Sequence, residues 1–213
     1  MTTEVLPGSC SGVCVKRLGY IGAWHKHRYN AFTLIELVVV FGLILVLTGL
    51  VLSTVGYARK KGARARAETE IAALSAALES YKADNAVYPR SSNTDALDAR
   101  TSGNPGTSQY QNASLDLYNA LFGATSGSRT PDAGKRSYFT FKPNQLSPSD
   151  QTQPVAFIQD PFGNSYGYST IQAATQDSTK GYNPTFDLWS TTGLTTDPLP
   201  TNDTITPQWI KNW

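Results

Sequence analysis

The stretch FTLIELVVVFGLILVLTGLVLSTV, at residues 32–55, decides the fold of this chain. Residues 37–55 carry no charge. A helix over the whole stretch would measure roughly 30 Å or more at ~1.5 Å per residue, enough to cross the hydrocarbon core of a bilayer. Leu, Val and Ile occupy every face of such a helix, which argues against the core helix of a soluble protein. Because a cleaved secretory signal has a shorter apolar region followed by a small-x-small site, the stretch predicts a retained single membrane span.

One carboxylate, Glu36, lies at the start of this apolar run. A charge inside a membrane costs about 2.5–3.5 kcal/mol at the bilayer centre and less near the interface. The helix N-terminus supplies partial positive charge, and a chain cut between Ala31 and Phe32 would supply an α-amino group about one helical turn away. That amine could pair with Glu36 in the same subunit or in a stacked neighbour. The alternative is an interfacial Glu36 that reaches water.

The charges that flank the span do not decide its orientation, because basic residues stand on both sides. They are Lys16, Arg17, Lys26 and Arg28 before it, and Arg59, Lys60, Lys61, Arg64 and Arg66 after it. The second cluster has two interpretations, contact with lipid phosphates or pairing with acidic residues such as Glu68 and Glu70 of adjacent subunits. No aromatic residues interleave with it, so nucleic-acid binding is not expected.

Cysteine and histidine are confined to the first 31 residues. Cys10, Cys14, His25 and His27 do not form a closed four-ligand pattern, so no zinc site is expected there. Beyond residue 31 the chain has neither residue type, which removes any disulfide and the usual catalytic base, nucleophile and metal ligands. The sequence therefore predicts that the protein is not an enzyme.

Residues 58–85 predict an amphipathic continuation of the membrane helix. Ala, Glu, Lys, Arg and Leu dominate, and all are good helix formers. Apolar residues recur at spacings of four and three, which gives one stripe: Ala67, Ile71, Leu74, Leu78 and Tyr81. We predict one helix from about residue 32 to 84, whose outer half packs its stripe on a globular domain.

Residues 86–213 predict that globular domain. A short helix is expected at 115–122, with Ser114 as its N-cap and Gly123 at its end, and a loop at 91–108. The predicted strands are 138–141, 155–159, 165–168 and 185–189, with a hairpin turn at 160–164. The expected fold class is α+β, a long N-terminal helix packed on a small antiparallel sheet.

The basic leader, followed by Phe32-Thr33-Leu34-Ile35-Glu36-Leu37 opening an apolar helix, resembles the N-terminus of type IV prepilins and type II secretion pseudopilins. The resemblance implies that a prepilin peptidase cuts between Ala31 and Phe32 and methylates the Phe32 amine, and that Glu36 guides assembly. It places the leader, residues 1–31, in the cytoplasm, the assembly helix, 32–57, in the bacterial inner membrane, and the domain, 86–213, in the periplasm. Ala31 departs from the usual Gly, and the leader is long.

A narrower resemblance covers parts of the domain. Tyr88-Pro89, DPFGNSYGY at 160–168, FDLWS at 186–190 and Ile205 with Trp209 are similar to the major, G-type pseudopilin of type II secretion. This implies a pilin-like subunit that polymerises with itself and other pseudopilins, using an inner-membrane assembly platform and an ATPase, with membrane lipid around its span.

The same family binds Ca²⁺ in an acidic loop near the C-terminus. The corresponding stretch here, 191–205, has two carboxylates, Asp197 and Asp203. Calcium takes six to eight oxygen ligands, usually including several carboxylates. Asp197 and Asp203 are therefore candidate Ca²⁺ ligands, but we expect no cofactor to be required.

Two other functions remain open from the sequence. One is a surface type IV pilin for adhesion, motility or DNA uptake, against which the lack of a C-terminal disulfide weighs mildly. The other is a membrane-anchored binding module whose exposed Tyr and Trp residues form a stacking face. That module predicts no cleavage at Phe32.

Overall fold

The apolar run and the amphipathic stretch that follows it form one α-helix, α1, from Leu34 to Asn85. The computed structural model describes residues 32–194 and 206–213, without the side chains of Ser53 and Thr54. No proline interrupts α1, and the helix ends where Ala86 adopts a positive φ of 62° with its N–H on the carbonyl of Lys82 at 2.7 Å. The predicted long helix is confirmed to within two residues at each end.

Two compact units divide the chain, Met1–Thr48 and Gly49–Trp213. In the first unit, the large apolar side chains of α1 are 49–81% exposed. Nothing within that unit covers them among the residues that the structure describes. An α-helix with this surface needs an apolar surrounding, either lipid or other helices.

In the second unit, the predicted stripe of α1 forms one wall of the core. Ala67, Ile71, Leu74 and Leu78 are at most 5% exposed, and Tyr81 packs at the edge of the same cluster. The stripe is therefore confirmed. Ala77 and Glu70 are also buried on this side of the helix, although neither was part of the predicted stripe.

Three shorter helices and five short strands complete the described fold. The helices are α2 (Ser92–Ala96), α3 (Ser108–Phe122) and α4 (Ile171–Thr175), with 3-10 turns at Pro143–Gln145 and Thr206–Gln208. The strands are β1 (Leu146–Ser147), β2 (Phe157–Ile158), β3 (Gly167–Ser169), β4 (Asp187–Ser190) and β5 (Ile210–Lys211). β1 pairs with β2, and β3, β4 and β5 form a second antiparallel sheet in that order. The α+β class is confirmed, with two small sheets in place of one.

The helix α3 begins earlier than the sequence predicted. It starts at Ser108 rather than at 115, so Ser114 lies inside the helix and is not its N-cap. The Ser114 hydroxyl instead accepts a hydrogen bond from the N–H of Ile158 at 3.0 Å, which ties α3 to β2. The predicted end is confirmed, since Gly123 takes the left-handed conformation that a helix C-terminus favours. The predicted loop at 91–108 also contains α2.

The predicted strand at 138–141 is wrong. The N–H groups of Tyr138 and Phe139 both bond the carbonyl of Leu121, at 2.7 and 3.1 Å, in the last turn of α3. The aromatic residues of this segment pack around the end of that helix, where Phe141 contacts Tyr118 with ring centroids 5.1 Å apart. The segment therefore covers a helix end instead of joining a sheet.

The turn at 160–164 forms as predicted and carries much of the polar bonding of the domain. The Asp160 N–H bonds the Asn164 carbonyl at 2.8 Å, and Gly163 has a φ of 91°. Asp160 Oδ1 accepts the N–H groups of Phe162 and Asn164, while Oδ2 accepts the Ser190 hydroxyl of β4. Asp160 thus holds the turn closed and also ties it to β4, the central strand of the second sheet.

Candidate processing and assembly site

The first turn of α1 holds Glu36 in a reciprocal pair with Thr33. Glu36 Oε2 accepts hydrogen bonds from the backbone N–H and the hydroxyl of Thr33, each at 2.9 Å. The Glu36 N–H in turn donates to Thr33 Oγ1 at 3.3 Å. This is the capping-box arrangement, which satisfies donors that a helix N-terminus leaves open. Sequence reasoning assigned no role to Thr33, although the spacing Thr-x-x-Glu is the recognisable signal of such a box.

Phe32 lies immediately before this box. Its side chain is 76% exposed, and it lines a shallow depression of about 340 Å³ with Ile35, Glu36, Val39 and Val40. The depression is apolar apart from the one carboxylate. Ala31, the residue before the predicted cut, lies outside the described residues.

The part of α1 beyond this site is suited to a membrane. The helix is long and apolar enough to cross one, and its most apolar 18-residue stretch has no buried residue. The site formed by Phe32, Thr33 and Glu36 therefore lies at the N-terminal end of a helix whose apolar side chains are exposed.

Beyond the apolar run, the acidic residues of α1 are bonded within the subunit. Arg64 pairs with Glu68 at 3.3 Å and Arg66 with Glu70 at 2.9 Å. The second oxygen of Glu70 accepts the buried Tyr166 hydroxyl at 2.8 Å. Glu68 and Glu70 therefore have cationic partners within their own subunit. This weighs against the interpretation in which the basic cluster at 59–66 pairs with Glu68 and Glu70 of an adjacent subunit.

Within residues 32–194 and 206–213, no group of three or more His, Cys, Asp or Glu residues is placed to hold a metal ion. Asp197 and Asp203, the candidate Ca²⁺ ligands, lie outside those ranges. The buried carboxylates Asp160 and Asp187 instead accept backbone N–H groups, Asp187 those of Tyr182 and Asn183. Burial raises the pKa of both carboxyls above the ordinary aspartate value despite these hydrogen bonds.

The tryptophans that the structure describes do not form an open stacking face. Trp189 and Trp209 are 0% and 2% exposed. Trp213 stacks on Tyr182 with centroids 4.5 Å apart, and the Lys211 ammonium lies 5.1 Å from the Trp213 ring centre. Because these rings are buried or stacked on other side chains, the geometry weighs against a carbohydrate-stacking module.

Comparison with known proteins agrees with the geometry of the N-terminal site. The family model described as the prokaryotic N-terminal methylation motif matches residues 26–52. Neither a curated protein nor a solved structure matches the chain. The motif is a prepilin signal, and its position on the first turns of α1 indicates a type IV pilin-like protein, with which the α+β fold is consistent. Such proteins are processed by a prepilin peptidase and polymerise.

Proposed function

We propose that this protein is a structural subunit of a periplasmic pseudopilus in a type II-like secretion system. A prepilin peptidase cuts between Ala31 and Phe32 and methylates the new amine, and the mature chain then joins a filament. The observation that carries the proposal is the position of Glu36, a lone carboxylate at the exposed start of an uncovered apolar helix. The protein has no catalytic role and needs no cofactor.

Charge neutralisation drives the selection of the next subunit. When the helix leaves the membrane and enters a filament, Glu36 becomes surrounded by the apolar helices of its neighbours. A buried carboxylate is strongly unfavourable unless it is paired and hydrogen-bonded. The amine of a neighbouring Phe32 supplies the missing charge, while Thr33 already supplies two hydrogen bonds.

The topology and partners follow from this role. The leader is cytoplasmic, where the peptidase acts, and the domain at 86–213 is periplasmic. The partners are further copies of the same chain, other pseudopilins, the prepilin peptidase, and an inner-membrane platform with its ATPase. Lipid surrounds residues 32–57 until the subunit is extracted, and no nucleic acid is involved.

Features of the globular domain support the secretion system over a surface pilus. The 160–168 segment, which resembles the G-type pseudopilin, forms the Asp160 turn and β3, and it is tied to β4 through Ser190. Residues 32–213 contain no Cys, so no disulfide closes a loop within them, which weighs mildly against a surface pilin. Deleting the gene should abolish export of a protein substrate and leave surface filaments unchanged; loss of surface filaments with normal export would overturn the assignment.

Glu36→Ala tests the assembly role. The variant should still be cut before Phe32, because the peptidase site is intact, but it should fail to form filaments. Glu68→Ala is the matched control, since it removes a carboxylate from an exposed position of the same helix where Arg64 is its partner. Crosslinking of cells should capture multimers of the control and only monomers of Glu36→Ala. Equal multimers from both variants would show that Glu36 does not guide assembly.

A further inference from the structure

A groove of about 530 Å³ opens where α1 emerges from its apolar run, within the Gly49–Trp213 unit. One side is the helix, which contributes Tyr57, Lys60, Lys61 and Arg64. The other side is formed by the domain, which contributes Phe162, Thr192, Leu194 and Gln208. The groove therefore combines two lysines and an arginine with three apolar or aromatic side chains.

The domain wall of this groove is held in place by specific contacts. The Arg64 guanidinium donates to the carbonyl of Gln208 at 2.8 Å, which ties α1 to the 3-10 turn at Thr206–Gln208. Gly193 has a φ of 82°, and a Cβ at this position would come within 3.9 Å of the Phe162 side chain. The groove is thus a formed feature of the domain surface.

The cations of the groove differ in whether their charge is already balanced. Arg64 lies 3.3 Å from the Glu68 carboxylate in addition to its contact with Gln208. Among the residues that the structure describes, Lys60 and Lys61 make no ion pair, and neither does Arg59 beside them. The groove therefore presents two ammonium groups that have no carboxylate partner within residues 32–194 and 206–213.

The position of the groove along the chain fits the membrane surface. The apolar stretch at 37–55 ends at Val55, and Tyr57, which is 73% exposed, lines the groove two residues further along the helix. Tyrosines are enriched at the headgroup level of membranes, and basic clusters next to a span are attracted to anionic lipids. Because Lys60 and Lys61 line the groove at this level, its charge is complementary to that of a lipid phosphate.

We propose that this groove binds the headgroup of an anionic phospholipid. Lys60 and Lys61 contact the phosphate, and Tyr57, Phe162 and Leu194 contact the glycerol backbone and the first acyl carbons. Arg64 acts as a positioning residue that holds the domain wall against the helix. The inference rests on the membrane anchoring in the proposed function. It adds to that function the class of lipid that binds the subunit before the subunit joins a filament.

The test uses the full chain in detergent micelles, titrated with phosphatidylglycerol or with phosphatidylcholine, and native mass spectrometry to measure the apparent Kd of the first bound lipid. Wild type should prefer phosphatidylglycerol. Lys60→Gln/Lys61→Gln should weaken phosphatidylglycerol binding by roughly 30-fold, since each basic residue at a membrane surface contributes about 1 kcal/mol. Lys135→Gln/Lys142→Gln removes the same charge from exposed positions outside the groove and should leave binding within about twofold of wild type.

Three outcomes would overturn the proposal. They are no lipid preference in the wild type, equal weakening by both double variants, and a Lys60→Gln/Lys61→Gln protein that keeps its lipid but loses crosslinks between subunits. The third would mean that the groove holds a neighbouring chain. Cleavage before Phe32 and filament formation are measured in parallel, so a wild type that assembles without lipid preference refutes the groove and leaves the proposed function standing.

Discussion

The attachment of the long helix to the sheet can be tested at one buried hydrogen bond. The Tyr166 hydroxyl donates to Glu70 Oε2 at 2.8 Å, across 96 residues of chain. Tyr166 is fully buried and Glu70 is 8% exposed. Burial and the neighbouring Glu70 carboxylate raise the pKa of Tyr166, so the hydroxyl remains a donor throughout the working pH range. Tyr166→Phe removes this donor and leaves the ring.

The expected loss is set by the charge of the acceptor. A hydrogen bond to a charged group contributes about 1.5–3 kcal/mol, whereas a neutral pair contributes about 0.5–1.5 kcal/mol. Glu70 keeps its contact with Arg66 at 2.9 Å, but its other oxygen would lie buried without a donor. For a domain of this size the melting temperature should fall by roughly 3–12 °C, at about 2–4 °C per kcal/mol.

Tyr168→Phe is the matched control. Tyr168 is also fully buried, stands two residues further on, and donates to the neutral carbonyl of Pro89 at 2.9 Å. Unfolding of the full chain in detergent, followed by the fluorescence of the buried Trp189 and Trp209, compares the two variants. Tyr166→Phe should be destabilised about twice as much as the control.

The reasoning would be refuted if both variants lost the same free energy of unfolding, or if Tyr166→Phe were neutral. Either result would mean that another donor, such as a water molecule, replaces the Tyr166 hydroxyl at Glu70 Oε2. Replacing both partners, in Tyr166→Phe/Glu70→Leu, should cost less than the sum of Tyr166→Phe and Glu70→Leu measured separately, because no unpaired carboxylate remains.

Three further predictions concern the domain. Burial raises the pKa of Asp160, so the folded state binds its proton more tightly than the unfolded chain; stability should fall as pH rises from about 4 through the folded pKa, and Asp160→Asn should flatten this decline. Gly167→Ala should lower the unfolding free energy by about 1–3 kcal/mol in denaturant titrations, because a Cβ there would overlap the Trp189 indole; an unchanged midpoint would refute this packing. Added Ca²⁺ should leave the melting temperature of the full chain unchanged, since two carboxylates near 195–205 fall short of a calcium site; a rise of several degrees would contradict it.

The helix α1 and the Asp160 turn were predictable because their signals are local. Nineteen uncharged residues and a stripe at spacings of three and four define a helix without knowledge of its partners. Asp, Pro and Gly within five residues likewise determine a turn through their own backbone preferences. Glu36 stands out for the same reason, as a single charge at the start of an apolar run, and its role in assembly stays a prediction.

The remaining structure depends on contacts between distant parts of the chain. β1 and β5 have two residues each, too few to show an alternating pattern. The segment at 138–141 has the aromatic character of a strand, but the carbonyl of Leu121 takes its N–H groups. The hydrogen bond between Glu70 and Tyr166 could not be predicted from the sequence, because the two residues are 96 positions apart and no local motif marks either one. The groove at Lys60 and Lys61 likewise exists only once residues 162 and 192–194 lie beside the helix.

Mass spectrometry of the mature protein from its native membrane tests the central claim most directly. The claim is that cleavage makes Phe32 the N-terminal residue of the mature chain, and that its amine neutralises Glu36 of a neighbouring subunit in the filament. The account predicts an N-terminal peptide that starts at Phe32 and carries one methyl group on its amine. A mature chain that begins at Met1, or at any residue other than Phe32, would contradict it.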